Sequence, residues 1–224
     1  MLMFESPLAP DYSNAIGRRI LLSFIGVALG VFPALKFAVR EAGLLETPIS
    51  QTLLVLALLA VFLLVHAAFV RAPLAAVGLR SYASWSQGER LYLTQVVPLA
   101  VIGFSLVFQD HLLNLLDRHG YIGFIVFSVL TGLGWGAVQE LLYRGWLQTE
   151  LTRRFGALCG LLVSNTVFAL GPLHTNLLSA SGVLHWWTIA AVFAVGLFFA
   201  VIYYRSGNLW IPAALHGLWP LNMN

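Results

Sequence analysis

The chain has 224 residues, 59% of them hydrophobic and only 9% charged, with twelve Lys and Arg against nine Asp and Glu and a mean hydropathy of +0.85. A soluble domain carries roughly a quarter charged residues, and a chain this poor in charge cannot clothe a globular surface with polar groups. A soluble enzyme, a disordered chain and a nucleic-acid binder are therefore excluded, and the lone Cys159 excludes a disulfide framework or a cysteine metal site.

Residues 1–14 are mixed, with Glu5, Asp11 and two prolines, and predict no removable leader. Arg18 and Arg19 then precede the first long apolar run. About 20 apolar residues are needed to cross the hydrocarbon layer, and runs of that kind occur at 20–39, 52–70, 91–108, 122–138, 157–173, 186–204 and 209–221. The last is the shortest. The tract 72–90, with Pro73, Gly78, Arg80, Ser81, Ser84, Ser86 and Gly88, reads as a surface loop or an amphipathic segment. The expected fold is all-α: a polytopic membrane bundle of about seven transmembrane helices, with room for an extra interfacial helix. No repeat, low-complexity tract or linker divides the chain, so residues 1–224 are expected to form a single integral membrane domain.

The arginines orient it. With the amino terminus in the cytoplasm, Arg18, Arg19, Arg71, Arg80, Arg90, Arg153, Arg154 and Arg205 fall on the cytoplasmic side. Only Arg40 and Arg118 fall outside, with Lys36 near that boundary. That asymmetry follows the positive-inside rule, and an odd number of spans then predicts an external carboxyl terminus.

Ionisable groups within apolar spans are costly, about 2.5–3.5 kcal/mol each on insertion scales, so each needs a reason. Glu140, Arg144, His174 and His216 lie within or at the edge of the spans of the carboxyl-terminal half, with the amides Gln139 and Asn222 beside them; His66 and His185 are also near spans. Glu140 and Arg144 stand four apart and share a helix face, which by itself is most simply an internal ion pair. Gln139 points about 100° away and meets a different neighbour. Pro172 is expected to kink or end its helix just ahead of His174. Pro212 sits in the first turn of the last helix, where proline is tolerated, and His216 follows one to two turns in. Trp210 and Trp219 read as interface anchors. Depth poses a problem, because a straight helix from Ala157 would carry His174 to the boundary opposite Arg153, away from Glu140. A break at Gly171-Pro172 would redirect it.

The order of these elements resembles the CPBP family, the CAAX prenyl proteases and bacteriocin-processing or immunity (Abi) proteins, regarded as glutamic-type intramembrane proteases. Its elements here are a Glu-x-x-x-Arg-Gly cluster, a histidine after an aromatic-rich helix, and a Ser206-Gly-Asn-Leu-Trp-x-Pro212 turn leading to a second histidine. The resemblance covers about residues 132–222, within a motif-bearing core of about 122–224, and Val77-Gly-Leu-Arg80 is similar to a further family element. Trp135-Gly and Tyr143-Arg-Gly-Trp-Leu-Gln148 are similar to the myxosortase-type enzymes, which process carboxyl-terminal sorting tags. In the family's first motif, Glu-Glu-x-x-x-Arg, the second glutamate maps to Glu140 and the arginine to Arg144, but Gln139 holds the first position. In Phe-x-x-x-His the histidine maps to His174, with Leu170 at the phenylalanine position. In His-x-x-x-Asn the histidine maps to His216, with Pro220 at the partner position and Asn222 a displaced substitute.

The resemblance implies a water activated by the first-motif glutamate and second-motif histidine, with the third-motif histidine and asparagine stabilising the oxyanion. Fixed donors at low dielectric suit that task. Gln139 departs from it, since a neutral amide can hold a water but not take its proton. Three assignments follow: Glu140 serves as base, the chain is an inactive relative or an inactivated variant, or His174 serves as base while Gln139 positions the water. The first is favoured. The expected function is therefore an intramembrane endopeptidase acting on a membrane-tethered or tail-anchored protein, in the bacterial inner membrane. A non-catalytic scaffold or immunity-type binder is the alternative. A proton-relaying transporter ranks below both for want of an inverted repeat. Zinc is not favoured, because His-Glu-x-x-His is absent, and no cofactor is expected.

Overall fold

In lipid every backbone N–H and C=O must be satisfied within the protein, which leaves helices and closed barrels as the spanning structures. The computed structural model takes the helical solution. It describes residues 8, 10–41, 48–171, 174, 175, 179, 182 and 184–218, and among these there is no strand. Helix α1 (Asn14–Ile25) starts at Ser13, whose hydroxyl accepts from the Ile16 N–H, and continues through a π-type stretch into α2 (Phe32–Glu41). Helix α3 (Pro48–Val65) also ends in a π-type stretch, His66–Val70, closed by Arg71 at φ +59°. Two short turns, Leu74–Val77 and Tyr82–Ser84, lead to α4 (Gln87–Val107), which opens with a capping box between Ser86 and Glu89.

Helix α5 (Gln109–Phe124) precedes the central rod of the molecule. That rod joins π-type Ile125–Thr131, α6 (Gly132–Glu140), π-type Leu141–Gln148 and α7 (Thr149–Phe155) end to end. Glu140 thus lies on a helical rod that runs on through Arg153. Gly156, at φ +84°, reverses the chain into α8 (Ala157–Leu170); α9 (Trp186–Ser206) and α10 (Trp210–Leu218) follow.

The distribution of polarity is inverted relative to a soluble protein. Leu22, Leu53, Leu64, Leu99, Leu106 and Leu158 are exposed, while Glu140, Arg144, Gln148, Thr149, Glu150, Asn165 and Asn208 are fully buried. Ionisable groups turned inward beneath an apolar exterior are the arrangement hydrocarbon imposes, and the chain is a multi-pass membrane protein built as an all-α bundle.

The span count of seven is not confirmed. Among the described residues four helices have the length and composition to cross: Asn14–Leu35, Ile49–Val70, Gln87–Val107 and Trp186–Ser206. A fifth arises if Leu112–Phe124 and Val129–Phe155, bent by 81°, count as one. Helix α8 is shorter, and the nine described residues of α10 reach about 14 Å at ~1.5 Å per residue. Hydropathy registers an apolar run wherever it is buried. It does not distinguish a lipid-facing span from a short helix sheltered by its neighbours, which is what α10 is against α6 and α4.

One end of the bundle gathers several arginine-bearing segments. The Leu8 N–H donates to the Tyr204 carbonyl, and Arg153 donates to the Asn14 amide oxygen at 3.0 Å. Arg80 donates to the Ser206 carbonyl at 3.2 Å, and the Trp210 indole to the Arg80 carbonyl at 3.0 Å.

Candidate active site

Helices α6 and α10 approach through glycines. Gly132 and Gly136, four apart on one face, meet Gly217 and Ala213: a Cβ at Gly136 would stand 2.5 Å from the Gly217 nitrogen and 2.7 Å from the Ala213 carbonyl oxygen. Small residues at such spacing let helix backbones approach closely in membranes. Glu140 is the next residue of that face, one turn on, and His216 adjoins Gly217. The glycine seam therefore sets the distance between them.

At that distance the His216 Nδ1–H donates to Glu140 Oε1 at 2.8 Å. The bond fixes the tautomer, leaving Nε2 as the nitrogen that can exchange a proton with a substrate. Oε2 of Glu140 lies 3.4 Å from Arg144 Nε, and both side chains are fully buried. The expected ion pair is present. Arg144 is held further by donation to the Gly196 carbonyl on α9 at 2.7 Å, and its guanidinium lies over the Phe168 ring at 4.2 Å. Buried charges require such compensation.

His174 reaches the same place because α8 stops. The backbone leaves the helix at Gly171 in extended conformation, as Pro172 demands of the residue before it. The chain turns back far enough for the His174 Nδ1–H to donate to the Phe168 carbonyl at 2.8 Å. The depth problem raised by a straight helix disappears, since that break keeps His174 beside Phe168. The Phe168 ring centroid is 4.2 Å from His174, 5.7 Å from His216 and 5.2 Å from Tyr143, and Phe199 stacks on His216 at 5.2 Å. The aromatic partner expected at Leu170 is supplied instead by Phe168, which is 2% exposed while Leu170 is 54% exposed. Position 170 faces outward on α8.

Gln139 is buried, and its Oε1 has no hydrogen-bond partner among the described residues. Asn222 and Pro220 lie outside the described residues. Four of the six expected site residues thus share one cluster: Glu140, Arg144, His174 and His216. Gln139 is their chain neighbour.

Several supporting residues went unseen in the sequence. Thr149 donates its hydroxyl to the Arg144 carbonyl at 2.9 Å and pairs with the Tyr203 hydroxyl at 2.8 Å. Gln148 donates to the Ala200 carbonyl at 2.9 Å, and Asn165 to that of Phe193 at 2.8 Å. Polar residues at 144, 148 and 149, all facing in, were the available signal. The Val77-Gly-Leu-Arg80 element docks on the turn before α10: the Leu209 N–H donates to the Gly78 carbonyl at 3.0 Å, and Arg80 pairs with buried Glu89 at 3.1 Å. Gly78, at φ +84°, passes so close to the Tyr203 ring that a Cβ would collide with it. His66 is structural. It accepts from the Trp146 indole at Nδ1 and donates from Nε2 to the Ala72 carbonyl. Among the described residues no group of three or more His, Cys, Asp or Glu is placed to hold a metal ion.

No curated protein and no solved structure matches the chain. A family model does, over residues 118–221, and it is described as Type II CAAX prenyl endopeptidase Rce1-like. That stretch contains α6, α8, α9 and α10 and every residue of the cluster just described. Over these residues, a little under half of its length, the chain is similar to the Rce1-like branch of the CPBP family.

Proposed function

We propose that the protein is a CAAX-protease-like intramembrane endopeptidase that hydrolyses a peptide bond in a membrane-tethered or tail-anchored protein. Its setting is the bacterial inner membrane, with the arginine-bearing end in the cytoplasm. Residues 1–224 form one membrane domain around a protease core of about 122–224. The observation that carries this reading is the 2.8 Å hydrogen bond between Glu140 and His216, on separate helices, with His174 on the same phenylalanine ring.

In this mechanism Gln139 holds the attacking water through its amide. Glu140 is the base, and His216, bonded to it, relays the proton between carboxylate and substrate. His174, with Nδ1–H committed to the Phe168 carbonyl, offers Nε2 to the same water. Hydroxide adds to the scissile carbonyl carbon, the C–N bond breaks, and the proton goes to the departing amine. Arg144 pairs with Glu140 and holds it in place. Asn222 is the proposed additional donor to the oxyanion.

The test is cleavage by purified protein in proteoliposomes, using a farnesylated carboxyl-terminal peptide and a tail-anchored reporter without a lipid group. Glu140→Gln and His174→Ala are each expected to abolish cleavage of whichever substrate is cut. Unchanged cleavage by both variants refutes the mechanism. The neutral amide at Gln139 favours one competing reading, a non-catalytic scaffold or immunity-type binder. A wild-type chain without activity, made active by Gln139→Glu, would establish it.

A further inference from the structure

Away from the glutamate–histidine cluster, a second set of charged groups lies where α1 begins and α7 ends. Asn14, Arg18, Arg153, Arg154 and Phe155 line a shallow, open cavity of about 660 Å³. Its floor is built. Glu150 is fully buried and accepts from Arg153 through both oxygens, at 2.8 Å each, and from Arg154. Gly17 lets this happen, since a Cβ there would collide with the Glu150 carboxylate. Arg153 is also held by Asn14 and lies over the Tyr12 ring at 5.2 Å.

These contacts leave cationic capacity unspent. Three guanidinium groups line the cavity and one carboxylate serves two of them, so the local excess is positive. Arg154 uses Nε on Glu150, and neither terminal nitrogen bonds to another described residue. Arg18 is exposed and forms no hydrogen bond or ion pair with the described residues. The cavity also abuts the first turn of α1, where the positive end of the helix dipole favours an anion. Two arginines with free forks and a helix amino terminus suit a phosphate group.

The surroundings decide where that phosphate comes from. Phe155 is 65% exposed and Leu158 just beyond it 71% exposed. An exposed aromatic ring and a leucine beside a row of arginines, at the mouth of a helical bundle, mark the level where acyl chains give way to headgroups. A soluble phosphate would gain nothing from them.

We propose that Arg18, Arg153, Arg154 and Asn14 form a binding site for the headgroup phosphate of an anionic phospholipid, with its acyl chains running down beside Phe155 and Leu158. The site touches the proteolytic machinery only through the rod that carries both Glu150 and Glu140. It does not depend on the protein being an active protease.

Native mass spectrometry of the full chain in detergent, titrated with phosphatidylglycerol or phosphatidylcholine, tests it. Phosphatidylglycerol is expected to be retained at least tenfold more tightly. Arg18→Gln and Arg154→Gln should each weaken that retention about fivefold, whereas Arg118→Gln should leave it unchanged. Arg18 holds no described residue in place, so its loss should not disturb folding, and an unshifted thermal transition verifies this. Equal retention of the two lipids, or Arg18→Gln and Arg154→Gln proteins that bind like wild type, would overturn the proposal. So would displacement of phosphatidylglycerol by millimolar inorganic phosphate, which would assign the site to the free anion.

Discussion

Gly136 offers the sharpest test of how the site is assembled. A methyl group there would sit 2.5 Å from the Gly217 nitrogen, 2.7 Å from the Ala213 oxygen and 2.8 Å from the Gly217 Cα. All three are backbone atoms and cannot swing aside as a side chain can. Ordinary contact lies near 3.5 Å, so α6 and α10 must part by about 1 Å. Glu140 and His216 lie within a turn of that contact and must follow, stretching their 2.8 Å bond towards about 3.8 Å, beyond the range of a hydrogen bond. Displacement of about 1 Å at a reacting group costs on the order of a hundredfold in turnover. Gly136→Ala is therefore expected to lower kcat about a hundredfold in proteoliposomes, with KM little affected. Gly103→Ala, where nothing lies within 4 Å, should match wild type. A folded Gly136→Ala protein with wild-type kcat would show that the glycine seam does not position the site.

Three further outcomes follow from the same contacts. Glu140→Gln leaves Arg144 as an uncompensated buried cation and should destabilise the bundle by about 3–5 kcal/mol in thermal or denaturant unfolding. Adding Arg144→Met should recover much of that stability without recovering cleavage, which separates the structural task of the pair from its chemistry. Tyr203→Phe removes the hydroxyl partner of Thr149 and should cost about 1 kcal/mol of stability; a catalytic loss above tenfold would contradict its placement as a support. Arg80→Gln strands buried Glu89 and removes the side-chain bond to the Ser206 carbonyl, loosening the 74–90 segment on the Ser206–Trp210 turn, so limited proteolysis should cut within 72–90 faster than in wild type.

The sequence alone determined the solvent. Nine per cent charge and long apolar runs demand lipid and therefore helices, and a carboxylate and an arginine four apart on one helix pair wherever that helix is buried. Those conclusions rest on local periodicity and transfer energies, which need no knowledge of neighbours. The order of motifs also pointed to the family, through residues that retain their chemistry in the fold. The tertiary structure decided what is non-local. It set the number of helices long enough to span, because a short helix screened by neighbours and a lipid-facing span give similar hydropathy. It placed Phe168 rather than Leu170 beside the histidines, because the end of α8 at Gly171 turns one face inward and leaves the other outside. And it brought His216 to Glu140, 76 positions away in the chain, through backbone contact between glycines, whose significance appears only when the facing helix is known.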